Sequence, residues 1–326
     1  MLLKALEKVP SSLMISLFKD KHRVHIVDKV NIVLIFALSA LLYSFNSQAM
    51  NALQNSSSAI LEADVQKNTG DLTLVGSLTQ GALLRGKLPS GSKVWLNGKA
   101  LDTLPSGDFA FGFGRDAKLH HVLEWQLPTM KKRASKPLLL SKREYKVQRI
   151  EGVASKYVSP PKTVLERIRN DNRQIAKARA SKSELSAFTQ TFILPAKGPI
   201  SGVYGSQRVF NGEPKRPHFG LDIAGPVGTD IYAPIDGIVR LAHPDMYYSG
   251  GTLIIDHGLG VTSTYIHLSS ITVKEGEEIK QGQKIAEMGD TGRVTGPHLD
   301  WRINWFKERL DPALLVDLEI AENWRL

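Results

Sequence analysis

Three histidine-containing segments follow one another in the C-terminal half of the chain, and their residue types are those of a metal site. The segments are His218-Phe219-Gly220-Leu221-Asp222, Tyr265-Ile266-His267-Leu268 and Gly296-Pro297-His298-Leu299-Asp300. Imidazole nitrogens and carboxylate oxygens bind zinc, and a catalytic zinc site usually has three protein ligands and one open position. Each segment alone is common in proteins, but three in order within one domain predict a shared metal site.

The spacing within the segments allows their side chains to meet. On a β-strand, residues two apart face the same side, so His298 and Asp300 can both point into one site. His218 and Asp222 are four residues apart across Gly220, which we expect to permit a bend toward the same metal. The chain has no cysteine, which excludes disulfides, thiolate ligands and a cysteine nucleophile.

The elements that must position these side chains read as β-structure. From residue 191 onward, short apolar runs alternate with Gly, Pro, Asp and Asn at intervals of about ten residues, which is typical of hairpins. The sequence therefore predicts an all-β domain over 191–326 with little helix. The expected strands lie at 200–205, 229–233, 237–242, 252–256 and 261–266.

Residues from about 195 to 315 resemble the lysostaphin/LytM-type zinc endopeptidases. The matching stretches are 199–205, 216–224, 233–237, 255–258, 265–268 and 291–300. The resemblance implies a duplicated-hybrid-motif β fold and hydrolysis of peptide bonds in bacterial peptidoglycan. The upstream segments also resemble, less distinctively, the N-terminal parts of exported proteobacterial members of that family.

The resemblance also implies a role for each residue of the site. His218 and Asp222 become metal ligands, and His267 and His298 become catalytic histidines that act as base or stabilise the tetrahedral intermediate. The third ligand of the family is the second histidine of an H-x-H motif, and Asp300 holds that position here. The expected cofactor is one Zn²⁺ ion.

Asp300 is a departure that bears on catalysis. Because a carboxylate can bind zinc, the site would have one histidine and two anionic ligands. Two anions offset the zinc charge, which weakens the Lewis acid and raises the pKa of bound water. Mn²⁺ accepts carboxylates more readily and is the less favoured alternative. The competing function is a degenerate, non-catalytic regulator that activates cell-wall amidases.

Three further residues of the same domain are left out of the candidate site. His257 lies in an Asp-His-Gly turn and is expected to be structural, and Tyr265 is expected to pack in the core. His243 has no partner that the sequence identifies. We therefore confine the candidate site to the five residues named above.

Upstream of this domain the sequence predicts a second β module and a connecting helix. Over 70–150, short strands and an Asn97-Gly98 hairpin signal indicate a small β-sandwich. Over 151–190, a basic connector follows. Its helix is expected to open at Pro160-Pro161 and to run to about Ser183. The apolar stripe of this helix consists of Leu165, Ile168 and Ile175.

The N-terminal 50 residues indicate export. A basic flank precedes an apolar run over 30–45, and Ser47-Gln48-Ala49 supplies small residues at the spacing of a cleavage site. The run falls between the length of a signal-peptide core and that of a membrane span, so both a cleaved signal and a retained hydrophobic helix stay open. The expected location is the periplasm, or the inner membrane facing it.

Charge is unevenly distributed along the chain. The formal net charge is +10, with +12 over residues 131–182 and −4 over 191–326. Such a basic segment suits an anionic polymer or a lipid surface, or a solvated helix face. Because no nucleic-acid motif accompanies it, nucleic acid is not expected. The expected partners are peptidoglycan peptides, with an envelope amidase and the inner membrane as further candidates.

Overall fold

The computed structural model describes residues 71–150, 162–210, 212–214 and 216–318. These residues are mainly β, as the sequence predicted, and belong to one compact unit that runs from Thr69 to Leu326. The N-terminal residues 1–50, which the sequence analysis interpreted as an export signal or anchor, lie outside them. In the part of the chain that is described, no helix is both long enough and apolar enough to span a membrane.

The described residues form twenty strands and one α-helix. Upstream, the strands are β1 (Thr73–Val75), β2 (Leu83–Lys87), β3 (Lys93–Leu96), β4 (Lys99–Leu101), β5 (Asp108–Gly112), β6 (His120–Gln126), β7 (Ala134–Leu139) and β8 (Val147–Ile150), followed by helix α1 (Leu165–Arg179). The remaining strands are β9 (Ile200–Gly202), β10 (Gln207–Phe210), β11 (Glu213–Pro214), β12 (Leu221–Ala224), β13 (Asp230–Tyr232), β14 (Gly237–Met246), β15 (Gly250–Gly258), β16 (Val261–Ile271), β17 (Glu278–Ile279), β18 (Lys284–Met288), β19 (His298–Trp305) and β20 (Glu308–Leu310).

Two sheets make up the upstream module. One has the order β1-β2-β5 and the other β4-β3-β6-β7, and both contribute to a core that includes Leu84, Phe111 and Trp125. The predicted hairpin joins β3 to β4, and Asn97 and Gly98 have φ angles of 51° and 76°. Positive φ at both central residues is what a type I′ turn requires, so the Asn-Gly signal was sound.

A ten-stranded antiparallel sheet positions the candidate site. Its main path is β17-β14-β15-β16-β19-β12-β9, and β18 and β20 add to β16 and β19. Along β19, Leu299, Trp301 and Ile303 lie in the main hydrophobic core. Since side chains alternate along a strand, Asp300 and Arg302 face the opposite side of the sheet. We call that side the site face.

Helix α1 packs on the site face over β14 and β15. Ala178 and Ile175 contact a cluster that includes Leu241 and Ile254, while the predicted stripe residues are half-buried. The helix ends at Arg179 rather than near Ser183, because the chain there turns to follow β15. The Ser183 carbonyl accepts a hydrogen bond from the Leu259 amide at 3.0 Å. The domain boundaries at 70–150, 151–190 and 191–326 stay predictions.

His257 is structural, as expected. Its side chain is fully buried between two hydrogen-bond partners, the Asp236 carbonyl at 2.6 Å from Nδ1 and the Ser263 hydroxyl at 2.7 Å from Nε2. With Nδ1 donating to the carbonyl, Nε2 accepts from the hydroxyl, so the neutral ring satisfies both partners. Burial lowers the pKa of His257 to about 4.

This buried ring predicts a pH-dependent loss of stability. An unfolded histidine has a pKa of about 6.5, so below that value the unfolded chain binds the proton that the folded chain refuses. Above pH 6.5 the neutral His257 ring makes its full contribution to the free energy of unfolding. As the pH falls from 6.5 toward 4, that free energy decreases by about 3 kcal/mol in total. Urea unfolding at pH 7.5 and pH 4.5 measures the difference. His257→Asn should show a smaller loss between the two pH values, and an equal loss would contradict the assignment.

Candidate active site

The structure brings all five candidate residues together on the site face. Strands β12 and β19 are antiparallel neighbours, and Asp222 lies directly opposite Asp300. His218 precedes β12, and the ligand atoms of His218, Asp222 and Asp300 all lie within 4.8 Å of one another. The three residues expected as ligands therefore form one compact donor set, and their role as ligands stays a prediction.

The donor set fits a cation. His218 Nε2 and Asp222 Oδ1 lie 3.1 Å apart, are buried, and are misaligned for a hydrogen bond. Buried polar atoms in proteins nearly always have partners, so two adjacent atoms without one suit a shared metal ion. Burial alone would lower the pKa of His218, but contact with Asp222 and the charge of Asp300 outweigh it and raise that pKa. One imidazole and two carboxylates are ligands that zinc accepts.

Two glycines make room for the two carboxylates. A Cβ on Gly202, which lies opposite Asp222, would sit 2.2 Å from Asp222 Oδ2. A Cβ on Gly220 would sit 2.0 Å from Asp300 Oδ1. The chain bends at Gly220, as expected, although the residue does not have a positive φ. Its missing side chain also leaves the space that Asp300 occupies.

Gly220→Ala is therefore expected to displace the Asp300 carboxylate and to weaken zinc binding by roughly 10- to 100-fold. The added methyl would also meet the Trp301 carbonyl at 2.9 Å, so the strand cannot absorb it locally. Gly296→Ala is the matched control, because a Cβ there meets nothing within 4 Å and the residue does not have a positive φ. Zinc titration in competition with a chromogenic chelator measures the zinc affinity of each variant. Equal affinities in the two variants would contradict this packing.

His267 reaches the site through a β-bulge. Gly251 pairs with Leu268 and Thr252 with Ile266, so His267 is the extra residue between them. Its φ of 69° lies in the left-handed region, which is costly for a residue with a side chain and recurs at functional sites. This backbone strain, which turns His267 toward the site face, has no signature in the local sequence.

Hydrogen bonds from Thr291 stabilise the bulge. The Thr291 hydroxyl accepts from the Gly251 amide at 3.0 Å and donates to the Leu268 carbonyl at 2.8 Å. The Thr291 carbonyl lies 2.8 Å from His267 Nδ1, so Nδ1 donates and Nε2 carries the lone pair. Burial lowers the pKa of His267, which favours this neutral form.

His298 opens β19 and is oriented in the same way. Its Nδ1 lies 2.9 Å from the Gly296 carbonyl and donates to it, which leaves Nε2 as an acceptor. That Nε2 lies 4.0 Å from Asp222 Oδ1, and the His298 ring centroid lies 4.9 Å from that of His267. Both histidines therefore offer a basic nitrogen beside the donor set, and their catalytic role stays a prediction.

Arg302 is a residue of the site that the sequence interpretation missed. Its Nε donates to Asp300 Oδ1 at 2.9 Å and its Nη2 donates to Oδ2, so the pair is bidentate. Asp300 is only 3% exposed, and although burial opposes its charge, Arg302 holds its pKa at about 2. The period-two spacing that joins His298 to Asp300 extends to Arg302 and could have indicated it.

Arg302 also changes the expected effect of Asp300 on a metal. With two carboxylate ligands and one histidine, a bound Zn²⁺ ion and its ligands would have no net charge. With one carboxylate and two histidines, the net charge would be +1. The guanidinium of Arg302 adds the missing positive charge and draws electron density from the Asp300 oxygens. The Asp300–Arg302 pair thus approaches the electrostatics of a neutral ligand, which opposes the predicted loss of Lewis acidity.

The other residues singled out in the sequence lie apart from the donor set. Tyr265 is fully buried in the main core, as expected for a packing residue. His243 Nδ1 accepts a hydrogen bond from the Asp245 amide at 3.1 Å in its own turn. These contacts give neither residue a part in the site.

Comparison with known proteins finds a family match over the region that carries the site. Residues 216–312 match the family described as Peptidase family M23. This range contains all five candidate residues and lies within the predicted 191–326 domain.

The curated relatives that match this region share its sequence at moderate identity. Peptidoglycan DD-endopeptidase ShyB of Vibrio cholerae is 43% identical over 109 residues, which cover 33% of this chain and 25% of that protein. Peptidoglycan DD-endopeptidase ShyA of the same species is 45% identical over 89 residues, 27% of this chain and 20% of that protein. The aligned part thus spans a quarter or less of each relative's length.

A solved structure matches a larger part of the chain. A crystal structure from Pseudomonas aeruginosa assigned to peptidase M23 aligns with a TM-score of 0.56 and 25% identity. The alignment covers 73% of this chain and 95% of that one. Because 73% of the chain is far more than the residues 216–312 that match the family, the likeness of fold extends beyond that region.

Proposed function

We propose that this protein, whose residues 216–312 form an M23 peptidase domain, is a zinc-dependent endopeptidase that hydrolyses peptide bonds of peptidoglycan in the cell envelope. One observation carries the proposal. A three-residue donor set with two unpartnered buried atoms lies beside two histidines that each present a free Nε2. This is the arrangement that metal-assisted hydrolysis of a peptide requires.

His218, Asp222 and Asp300 would hold the zinc ion. When bound, zinc supplies Lewis acidity toward the scissile carbonyl and toward a water molecule. Asp222 and Asp300 place their carboxylates in spaces left by glycines, so both are rigidly held on neighbouring strands. Preorganised ligands of this kind need little rearrangement during the reaction.

His267 and His298 would move the protons. The Nε2 atom of one histidine accepts a proton as water attacks the carbonyl carbon, and a proton passes to the departing amine as the C–N bond breaks. Protonated imidazole also stabilises the negative charge that develops on the carbonyl oxygen. The hydrogen bonds from Nδ1 to the Thr291 and Gly296 carbonyls keep both rings in the tautomer this chemistry needs.

Two independent observations support the proposed substrate and the proposed compartment. The V. cholerae relatives are named peptidoglycan DD-endopeptidases, and this chain matches them over the region that holds the site. The N-terminal sequence has the features of an export signal or anchor, which would place the site in the periplasm with its substrate. The basic segment over 131–182 would favour the anionic wall polymer or the membrane surface.

Digestion of purified cross-linked muropeptides tests the proposal. The zinc-loaded full-length protein should convert dimers to monomers by hydrolysis of a peptide bond, seen as a gain of one water by mass spectrometry. A chelator and the His298→Ala substitution should each abolish the conversion. Intact dimers, together with stimulation of an added cell-wall amidase, would instead support the non-catalytic regulator.

A further inference from the structure

Four arginines surround Asp300 on the site face. Arg302 forms the bidentate pair with Asp300, and the charges of Arg302, Arg216 and Arg309 all act on Arg179. We call Arg179, Arg216 and Arg309 the arginine cluster. Like charges repel, so an anion supplied from outside would stabilise this group of arginines.

Arg179 enters the cluster from helix α1. It is the last residue of the helix, and its Nη2 donates to Thr264 Oγ1 at 3.2 Å. Thr264 on β16 pairs directly with Arg302 on β19, so the Arg179 side chain reaches from the helix toward Arg302, whose charge acts on it. The helix upstream of the M23 domain therefore contributes a side chain to the site face.

Arg216 and Arg309 are held by one aromatic ring. Their guanidinium carbons lie 5.6 Å and 5.7 Å from the centroid of Phe219, which directly follows His218. Such stacking orients the planar group and leaves its N–H donors free. Arg309 lies on β20 opposite Asn304, two residues beyond Arg302 on β19. The cluster thus extends from the donor set along β19.

Asp300 attracts Arg179 and Arg309 from a distance, but it is paired with Arg302. No ion pair joins a described carboxylate to Arg179, Arg216 or Arg309, and Arg179 Nε is buried without a hydrogen bond. Burial, followed by the neighbouring arginines, lowers the pKa of Arg179. The same causes lower the pKa of Arg309 to about 10. An added anion would offset the cost of burying these charges and the repulsion between the arginines.

We propose that the arginine cluster is a subsite for a free carboxylate group of the peptide substrate, which selects peptides that carry such a group near the scissile bond. This inference rests on the proposed function. A guanidinium group presents paired N–H donors that match the two oxygens of a carboxylate. Arg302 is occupied by Asp300, so the other three arginines are the ones available to the ligand.

The subsite gives the connector a role in recognition. Arg179 lies outside residues 216–312, so an isolated M23 domain would lack one of the three cations. The carboxylate would also hold the peptide along β19, with its neighbouring amide close to His298 and the donor set. Positioning of this kind favours peptides with a free carboxylate over neutral ones of the same shape.

Calorimetric binding on the full-length protein, with a chelator to prevent turnover, tests the subsite. The probes are cross-linked muropeptide and the same muropeptide after its carboxylates are converted to amides. The unmodified probe should bind roughly 10-fold to 100-fold more tightly, since hydrogen bonds between charged groups contribute that much. Arg309→Met and Arg179→Met should each remove most of the difference, and Arg309→Lys should restore part of it.

Arg173→Met is the matched control, because Arg173 is exposed on the same helix and contacts Asn170. It should keep the full preference. Equal affinities for the two probes, no binding of either, or an unchanged preference in a folded Arg309→Met variant would overturn the subsite. A protein that prefers the unmodified probe yet fails to cleave it with zinc would contradict the proposed hydrolysis and support the subsite.

Discussion

Asp222→Ala is expected to abolish stoichiometric zinc binding and to lower muropeptide hydrolysis by about 1,000-fold or more. Asp222 lies at the centre of the site, 3.1 Å from His218 Nε2 and 4.0 Å from His298 Nε2. Its removal deletes one of the three proposed ligands and half of the carboxylate charge of the donor set. A catalytic metal contributes several kcal/mol to the transition state, and each ~1.4 kcal/mol is tenfold in rate. Zinc per chain and initial rates of dimer cleavage measure the two effects.

Asp230→Ala is the matched control for this substitution. Asp230 lies on β13 of the same sheet, and its carboxylate pairs with Lys284 at the surface. Loss of that exposed pair should leave both zinc content and rate close to those of the unsubstituted protein. If Asp222→Ala retained a full equivalent of zinc and a comparable rate, the donor set would be misassigned.

Arg302→Met is expected to lower the free energy of unfolding of the metal-free protein by about 3–5 kcal/mol. Asp300 is buried, and Arg302 supplies both of its charge-assisted hydrogen bonds. Without Arg302, no described cation donates a hydrogen bond to this buried carboxylate. A bound zinc ion would supply one, so zinc should stabilise the variant more than it stabilises the unsubstituted protein. Urea unfolding of the unsubstituted protein and of Arg302→Met, each with a chelator and with excess zinc, gives the four free energies of unfolding that are compared.

The double variant Asp300→Asn/Arg302→Met separates charge from packing. It removes both members of the pair, so it should regain part of the stability that Arg302→Met loses. A metal-free Arg302→Met protein within 1 kcal/mol of the unsubstituted one would show that Asp300 has another counter-ion. An equal response to zinc in both proteins would show that Asp300 does not contact the metal.

Much of the site could be predicted from spacing and residue type. The period-two spacing of β19 placed His298 and Asp300 on one face, and motif resemblance joined them to His218 and Asp222. All of these are local features of single strands or turns. The register that sets Asp222 opposite Asp300 pairs strands more than seventy residues apart, and no local pattern specifies it.

The residues that were missed depend on tertiary contacts. Arg302 was within reach of the same period-two argument, but the motif that contains Asp300 indicates a metal ligand and carries no sign of an ion pair. Arg179 could not be placed, because its position depends on how α1 packs over β14 and β15. The left-handed backbone of His267 arises from a bulge against β15, which only the strand pairing reveals.

The upstream strands show the same division. The Asn97-Gly98 turn was evident, because a type I′ turn demands residues that accept positive φ. Strands β6 and β7 were not predicted, since β6 opens with two histidines and β7 contains Lys136 and Pro137, and neither shows clear alternation. They form because β3 supplies a pairing edge and Leu123 and Trp125 enter the shared core.

Zinc stoichiometry of the purified full-length protein tests the central claim most directly. Native mass spectrometry distinguishes a specifically bound ion from excess metal, and the same preparation can be stripped and reloaded. We expect one zinc ion per chain in the unsubstituted protein and in Asp230→Ala, and none in Asp222→Ala. A reloaded protein that binds no zinc, or binds it equally well in Asp222→Ala, would contradict a metal centre at His218, Asp222 and Asp300.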